Sequence, residues 1–397
     1  MGNIKEHVLT QDFDRELKLL ISIITDGCEW YKDQELLRNI QWGEFLHLTE
    51  HHRLFPIVYK KLKNQSLYPI PEKVLLTLEA WYKRNTFQML HLCAEMEMVS
   101  RWFLEKKVEC LFLKGPLLAN EIYGNTSMRT SKDLDILIKI TDLEKVNQIL
   151  LEKGYTPDKY IRTVLDDWKW KNHHIEYTNA DTGSCLEIHW RLNPGPGKEP
   201  SFKDLWNRRR ESPINQYPVY LLSQEDLLVY LITDGARHGW FRLRWLVDIS
   251  ELRKKDVSYE KVDALIKKYD YDHLAGQAFL LSSALLKVEI PFEMKRFTFM
   301  KKSKKLVLHS CKFIKSKENL HNEDLHKDIQ ASYHSYLYYI KTFQQKCFSF
   351  FNSIFPVPED MQILPLPKRF YFLYLPLRPF IWMWKKTKQH ILSLKGN

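Results

Sequence analysis

Cysteine is sparse and scattered: the six residues fall at 28, 93, 110, 185, 311 and 347, and no two make a Cys-x-x-Cys pair. The chain therefore offers neither the thiolate spacing of a zinc site nor the dense framework of a disulfide-stapled domain. Glycine is scarce too, 13 residues in 397, which leaves few flexible linkers. The opening residues Met1 to His7 lack the basic and apolar regions of a signal peptide, so a cytoplasmic location is expected. Glu6 stands where N-myristoylation requires Ser or Thr. Against these absences, 44% hydrophobic and 13% aromatic content argue for a chain folded throughout. Its 397 residues exceed one ordinary core and suggest two or three lobes.

The formal charge of +11 raises nucleic-acid binding as a reading, because clustered Lys and Arg neutralise backbone phosphates. Its distribution disfavours that reading. The excess lies late, in Lys295-Arg296, Lys301-Lys302, Lys304-Lys305 and the final thirty residues, which hold seven Lys or Arg and no acid. Charge runs of this kind are most often solvated helix faces.

The most chemically informative stretch is Phe112-Leu113-Lys114-Gly115-Pro116, followed by Arg129 and then by Lys132-Asp133-Leu134-Asp135-Ile136-Leu137-Ile138. Side chains alternate along a strand, so Asp133 and Asp135 share one face while Leu134, Ile136 and Ile138 take the core face. Two carboxylates on one face suit Mg²⁺, which is held by one or two carboxylates plus substrate phosphates. Upstream, Cys110 to Leu113 reads as a buried strand and Pro116 to Tyr123 as a helix with Pro in its first turn. Strand, glycine, helix is a phosphate cradle: Gly115 permits unusual backbone geometry, and free N–H groups at a helix start attract anions. Lys114 and Arg129 could neutralise phosphate charge.

These residues resemble the nucleotidyltransferase superfamily, whose core is like that of DNA polymerase beta, and more closely a family of uncharacterised bacterial nucleotidyltransferases. The likeness rests on Leu113-Lys114-Gly115-Pro116-Leu117-Leu118-Ala119, Ile122-Tyr123, Arg129 and Asp133-Leu134-Asp135-Ile136-Leu137. It continues through Cys185-Leu186-Glu187-Ile188-His189-Trp190, Arg237-His238-Gly239-Trp240, Arg242-Leu243-Arg244-Trp245, Asp248 and the Pro-rich tail. The resemblance implies an α+β fold, a small mixed-sheet nucleotidyltransferase core with large flanking helical lobes. It implies Asp133, Asp135 and Glu187 as catalytic and metal-binding residues, with Mg²⁺ or alternatively Mn²⁺, and Lys114, Gly115 and Arg129 on a nucleoside triphosphate or nucleotide-sugar donor. His189, Arg237, His238 and Arg242 are candidate acceptor or donor contacts. Asp234 stands where the family commonly has His, and Gly115-Pro116 replaces the superfamily's usual Gly-Ser turn, which removes a hydroxyl and an N–H.

Along the chain, residues 1–100 read as a helical lobe, 101–195 as the core, 196–300 as a second helical lobe and 301–397 as a basic, aromatic extension. Within the core the pattern predicts strands near 109–113, 133–140, 173–178 and 184–190, with helices over 116–123 and 142–153. His51 and His52 lack partners at metal-site spacing and are assigned to capping or packing. The Arg237 to Arg244 cluster suits either phosphate and base recognition or pairing with core acids across a lobe interface. Phe370 to Trp384 holds many aromatics broken by Pro376 and Pro379, too short for the roughly 20 apolar residues a membrane span needs. It is expected to pack on the helical lobe, with peripheral membrane contact as the alternative.

Three functions fit these residues. The first is an enzyme transferring a nucleotidyl or related phosphate-linked group to a small molecule, peptide or protein, with peptide tailoring suggested by the resemblance. The second is an RNA- or tRNA-directed transferase. The third is a non-catalytic nucleotide-binding scaffold.

Overall fold

A computed structural model describes residues 10–394 apart from 65–69, 159–167, 196, 215, 323 and 353–357. Helices α1 (Arg15–Ile24), α2 (Trp42–His51) and α3 (Phe55–Leu62) lead into α4 (Glu72–Glu105), a single 34-residue helix where one or two were expected. Its length follows from its apolar spacing. Val74 and Leu78 join the core of the helical lobe, and Met89, Leu92, Met96, Val99 and Phe103 continue at helical intervals under the sheet.

The core follows as β1 (Cys110–Phe112), α5 (Gly115–Tyr123), β2 (Leu134–Ile138), α6 (Leu143–Glu152), β3 (Tyr155–Pro157), β4 (His174–Asn179) and β5 (Cys185–His189). Sheet order is β1-β2-β5-β4-β3, and only β2 and β5 run parallel. The alternation expected of β2 holds in its neighbours. Leu134, Ile136, Ile138, Leu186, Ile188 and Tyr177 belong to the apolar cluster that α4 and α6 complete. The residues between them face the opposite side, where the polar groups collect. The edge strand β3 had no sequence expectation: three residues are too few for a readable period.

A small hairpin, β6 (Arg210–Ser212) and β7 (Val219–Leu221), precedes α7 (Gln224–Arg237), capped by Ser223, which accepts the Asp226 backbone N–H. Every residue of α7 from Asp226 to Ala236 is buried, so this helix is a lobe centre rather than a surface helix. Around it lie α8 (Arg244–Leu252), α9 (Asp272–Leu286), α10 (Lys301–Ser316) and α11 (Lys327–Ile340), with shorter helical turns between. Gly235 is required by contact: a Cβ there would lie 2.4 Å from the Trp240 ring. One continuous apolar core joins residues of α1 to α3 to those of α7 to α11.

The tail departs from its expected packing. In α12 (Tyr374–Leu394) Tyr374 and Ile381 are buried, in a cluster of their own with Met361, Leu366, Tyr371 and Leu377, separate from both larger cores. Aromatics crowd this helix on all sides, so a single inward stripe at helical spacing can bury only a few of them.

Candidate active site

The parallel pairing of β2 with β5 sets Asp135 directly beside Glu187, and β4 adds His174 opposite His189. Oxygen and nitrogen donors of Asp135, Glu187 and His189 lie within 4.8 Å of one another. His189 Nε2 is 3.3 Å from Asp135 Oδ1 and 3.2 Å from Glu187 Oε2. Burial alone would push the His189 pKa down, but hydrogen bonds to these two carboxylates outweigh it and the net shift is upward. Asp133 sits one step outside this trio, on the same face, with its side chain 3.4 Å from Ser131 Oγ.

Lys114 occupies the other flank. Its Nζ is 2.9 Å from Asp234 Oδ1 and 3.9 Å from Asp135 Oδ1. Burial opposes its charge, yet Asp234 and Asp135 raise its pKa, and it stays cationic. Asp135 is the converse case: burial favours the neutral acid, but Lys114 and His189 hold it well below the usual carboxylate range. Gly115 opens α5 with φ +74°, and an added Cβ would meet Leu134 at 3.1 Å, so the turn beside the carboxylates admits little else.

Asp234, which carried no sequence-level role, is the hub on which these charges converge. Besides Lys114 it accepts from Arg237 Nη2 at 2.7 Å and Trp245 Nε1 at 3.1 Å, with His238 Nε2 at 3.5 Å. Arg237 also reaches His173 Nε2 at 2.8 Å. Arg237 thus spans a lobe acid, Asp234, and a core histidine, His173, whereas His238 meets lobe residues, Asp234, Trp245 and His321. A signal for Asp234 was present: an acid inside the apolar run Leu227 to Ala236 must find buried cations. His173 and His174 gave none, because their neighbours depend on strand pairing.

Arg129 is 2% exposed and donates Nε to Asp248 Oδ2 at 3.0 Å, while its Nη2 has no partner. Near it, Arg244 donates Nη1 to the Thr130 carbonyl at 2.7 Å and leaves Nε unpartnered. Burial and the neighbouring Arg129 and Arg53 lower the Arg244 pKa to about 9, and burial together with other arginines lowers Arg53 and Arg242 to about 10. Cations gathered in this way suit an anionic ligand. Arg53 and Arg242 line a cleft of about 540 Å³ whose walls also hold Arg84, Lys132, the aromatic Trp81, the acid Glu50 and Thr130, the residue that Arg244 bonds.

Burial and repulsion from Asp135 and Glu187 push the Asp133 pKa up to about 6. Uncompensated carboxylates of this kind fit a divalent cation with oxygen ligands. The sign of the linkage gives a test. Between about pH 4 and 6 the folded protein keeps a proton that the unfolded chain has lost, so metal-free stability falls as pH rises through that window. Asp133→Asn removes the repulsion and is expected to stabilise the metal-free protein by about 1–3 kcal/mol at pH 7.5 while weakening metal binding. Urea midpoints in EDTA at pH 4.5 and 7.5 check this; a destabilised variant would show that Asp133 serves the fold instead.

The mixed sheet thus bears carboxylates on its parallel pair and lies beside a basic cleft. The chain belongs to the family described as uncharacterised nucleotidyltransferase, whose model matches residues 38–287. A comparison with curated proteins finds no match. Among solved structures, the antigenic nucleotidyltransferase-like protein of Paracoccidioides brasiliensis is similar over 50% of this chain and 94% of its own, at 16% identity and a TM-score of 0.30.

Proposed function

We propose that the protein is a metal-dependent nucleotidyltransferase that moves a nucleotidyl group from a nucleoside triphosphate to a small-molecule, peptide or protein acceptor. The observation that carries this reading is the adjacency of unlike charges: ligand atoms of Asp135, Glu187 and His189 lie within 4.8 Å of one another, beside a cleft lined by Arg53, Arg84, Lys132 and Arg242. A metal-bound triphosphate is a ligand that answers both halves.

In this proposal Asp133, Asp135 and Glu187 would hold Mg²⁺ or Mn²⁺, and such an ion screens the charge on the donor's phosphates. The cleft arginines and Lys132 take the phosphate oxygens, and Trp81 offers a face for the base. Lys114, tethered by Asp234, keeps Asp135 ionised and oriented. The acceptor's nucleophilic oxygen or nitrogen bonds to the α-phosphorus, the bond to the bridging oxygen breaks, and pyrophosphate leaves with its electron pair. The acceptor's proton passes to Glu187, which is the partly exposed acid of the trio.

Incubation with nucleoside triphosphates labelled at the α- or the γ-phosphate tests the reading. Label is expected to enter the acceptor, or the protein itself, only from the α-position and only with a divalent ion. Transfer from the γ-position would make the protein a phosphotransferase, and no nucleotide binding at all would leave a scaffold. Arg53→Ala and Arg242→Ala are each expected to weaken donor binding by about tenfold.

A further inference from the structure

The C-terminal helix α12 and the turn before it expose an apolar surface unlike any expected of a helix facing water. Phe380 is 64% exposed and Trp384 66%, and Met383 between them is also exposed. These residues recur at i, i+3 and i+4 and so share one side of the helix, rotated away from the inward stripe of Tyr374, Leu377 and Ile381. In the preceding turn Phe372 is exposed as well, and Trp382 is exposed on another side of the helix.

Charge identifies what would cover it. From residue 361 onward the sequence has no Asp or Glu but seven Lys or Arg, among them Lys368, Arg369, Lys385, Lys386 and Lys388. The last acid, Asp360, is paired with Arg378 at 3.1 Å. An apolar protein partner would not call for unbroken positive charge, whereas a bilayer with anionic headgroups attracts Lys and Arg and takes Trp and Phe at the level of its headgroups. No helix among the described residues is long and apolar enough to cross a membrane. The surface therefore fits contact with a bilayer face.

We propose that residues 368–394 form an interfacial anchor that docks the protein on the surface of an anionic phospholipid membrane. Phe372, Phe380, Met383 and Trp384 enter the headgroup boundary, and the lysines and arginines bind the lipid phosphates. The anchor is independent of the chemistry in the core and survives any revision of the transfer reaction.

Sedimentation of the intact chain with vesicles tests this. The protein is expected to pellet with vesicles containing phosphatidylglycerol, to stay in solution with pure phosphatidylcholine, and to be partly released by high salt. Phe380→Ser combined with Met383→Ser and Trp384→Ser is expected to weaken vesicle binding by about tenfold or more with little change in the melting transition, because those side chains are mostly exposed and belong to none of the buried clusters. A second variant, Lys385→Glu with Lys386→Glu and Lys388→Glu, keeps the apolar side and should lose binding to a similar extent. Absence of binding to the anionic vesicles overturns the proposal, as does unchanged binding in both variants. A concentration-dependent dimer that the serine variant abolishes, with no vesicle binding, would assign the surface to a second copy instead.

Discussion

Asp135→Asn is expected to lower nucleotidyl transfer by about three orders of magnitude while leaving the fold nearly intact. The kinetic loss follows from position: Asp135 is the acid that pairs with His189 and stands opposite Glu187 across the strand pair, so its charge is central to the proposed cation site. The small structural effect follows from the surroundings. An amide keeps the volume of the buried side chain and still accepts from His189, while Lys114 retains Asp234 as its closer partner. The cost in stability is expected to stay within about 1–2 kcal/mol. Pyrophosphate release, urea denaturation and Mn²⁺ titration followed by electron paramagnetic resonance separate the effects. Full activity in this variant would remove Asp135 from the chemistry, and a collapsed fold would make it a structural acid.

Strand alternation made this part of the molecule legible. Asp133, just before β2, and Asp135 on it, like Glu187 and His189 on β5, declare their shared faces through the apolar residues between them, which belong to the sheet's apolar cluster. The turn at Gly115 was readable for a similar reason, since a glycine between a buried strand and a helix carrying Pro marks a tight backbone passage. What stayed hidden depends on elements distant in sequence. His174 meets His189 only because β4 pairs antiparallel with β5, and Lys114 meets Asp234 across 120 residues. The basic cleft joins Lys132 and Arg242, which lie in the motif stretches, to Arg53 and Trp81, which no motif marks. The family resemblance and the Pro pairs favour a packed aromatic tail, but only Tyr374 and Ile381 of its helix are buried, in a small cluster of their own.

Asp248→Leu is expected to destabilise the protein by about 3–5 kcal/mol, the usual penalty for leaving a buried charge without its partner. Asp248 is 0% exposed and accepts from both Arg129 Nε at 3.0 Å and the Tyr123 hydroxyl at 2.8 Å. It thereby ties α8 to the end of α5 and to the loop that leads, four residues beyond Arg129, to Asp133. Without it, Arg129 loses its hydrogen-bonded anion and still faces Arg244, while Asp135 is already engaged by Lys114. The double replacement Arg129→Met with Asp248→Leu separates two roles for Arg129. Removing both charges from a buried pair is often neutral, so most of the lost stability should return. If Arg129 serves only as a strut, the double variant binds donor normally; if its unpartnered Nη2 takes a phosphate oxygen, the refolded variant binds donor about tenfold more weakly. A single variant that costs less than about 1 kcal/mol in urea would mean that water reaches Arg129 and that the pair is not the brace between core and lobe.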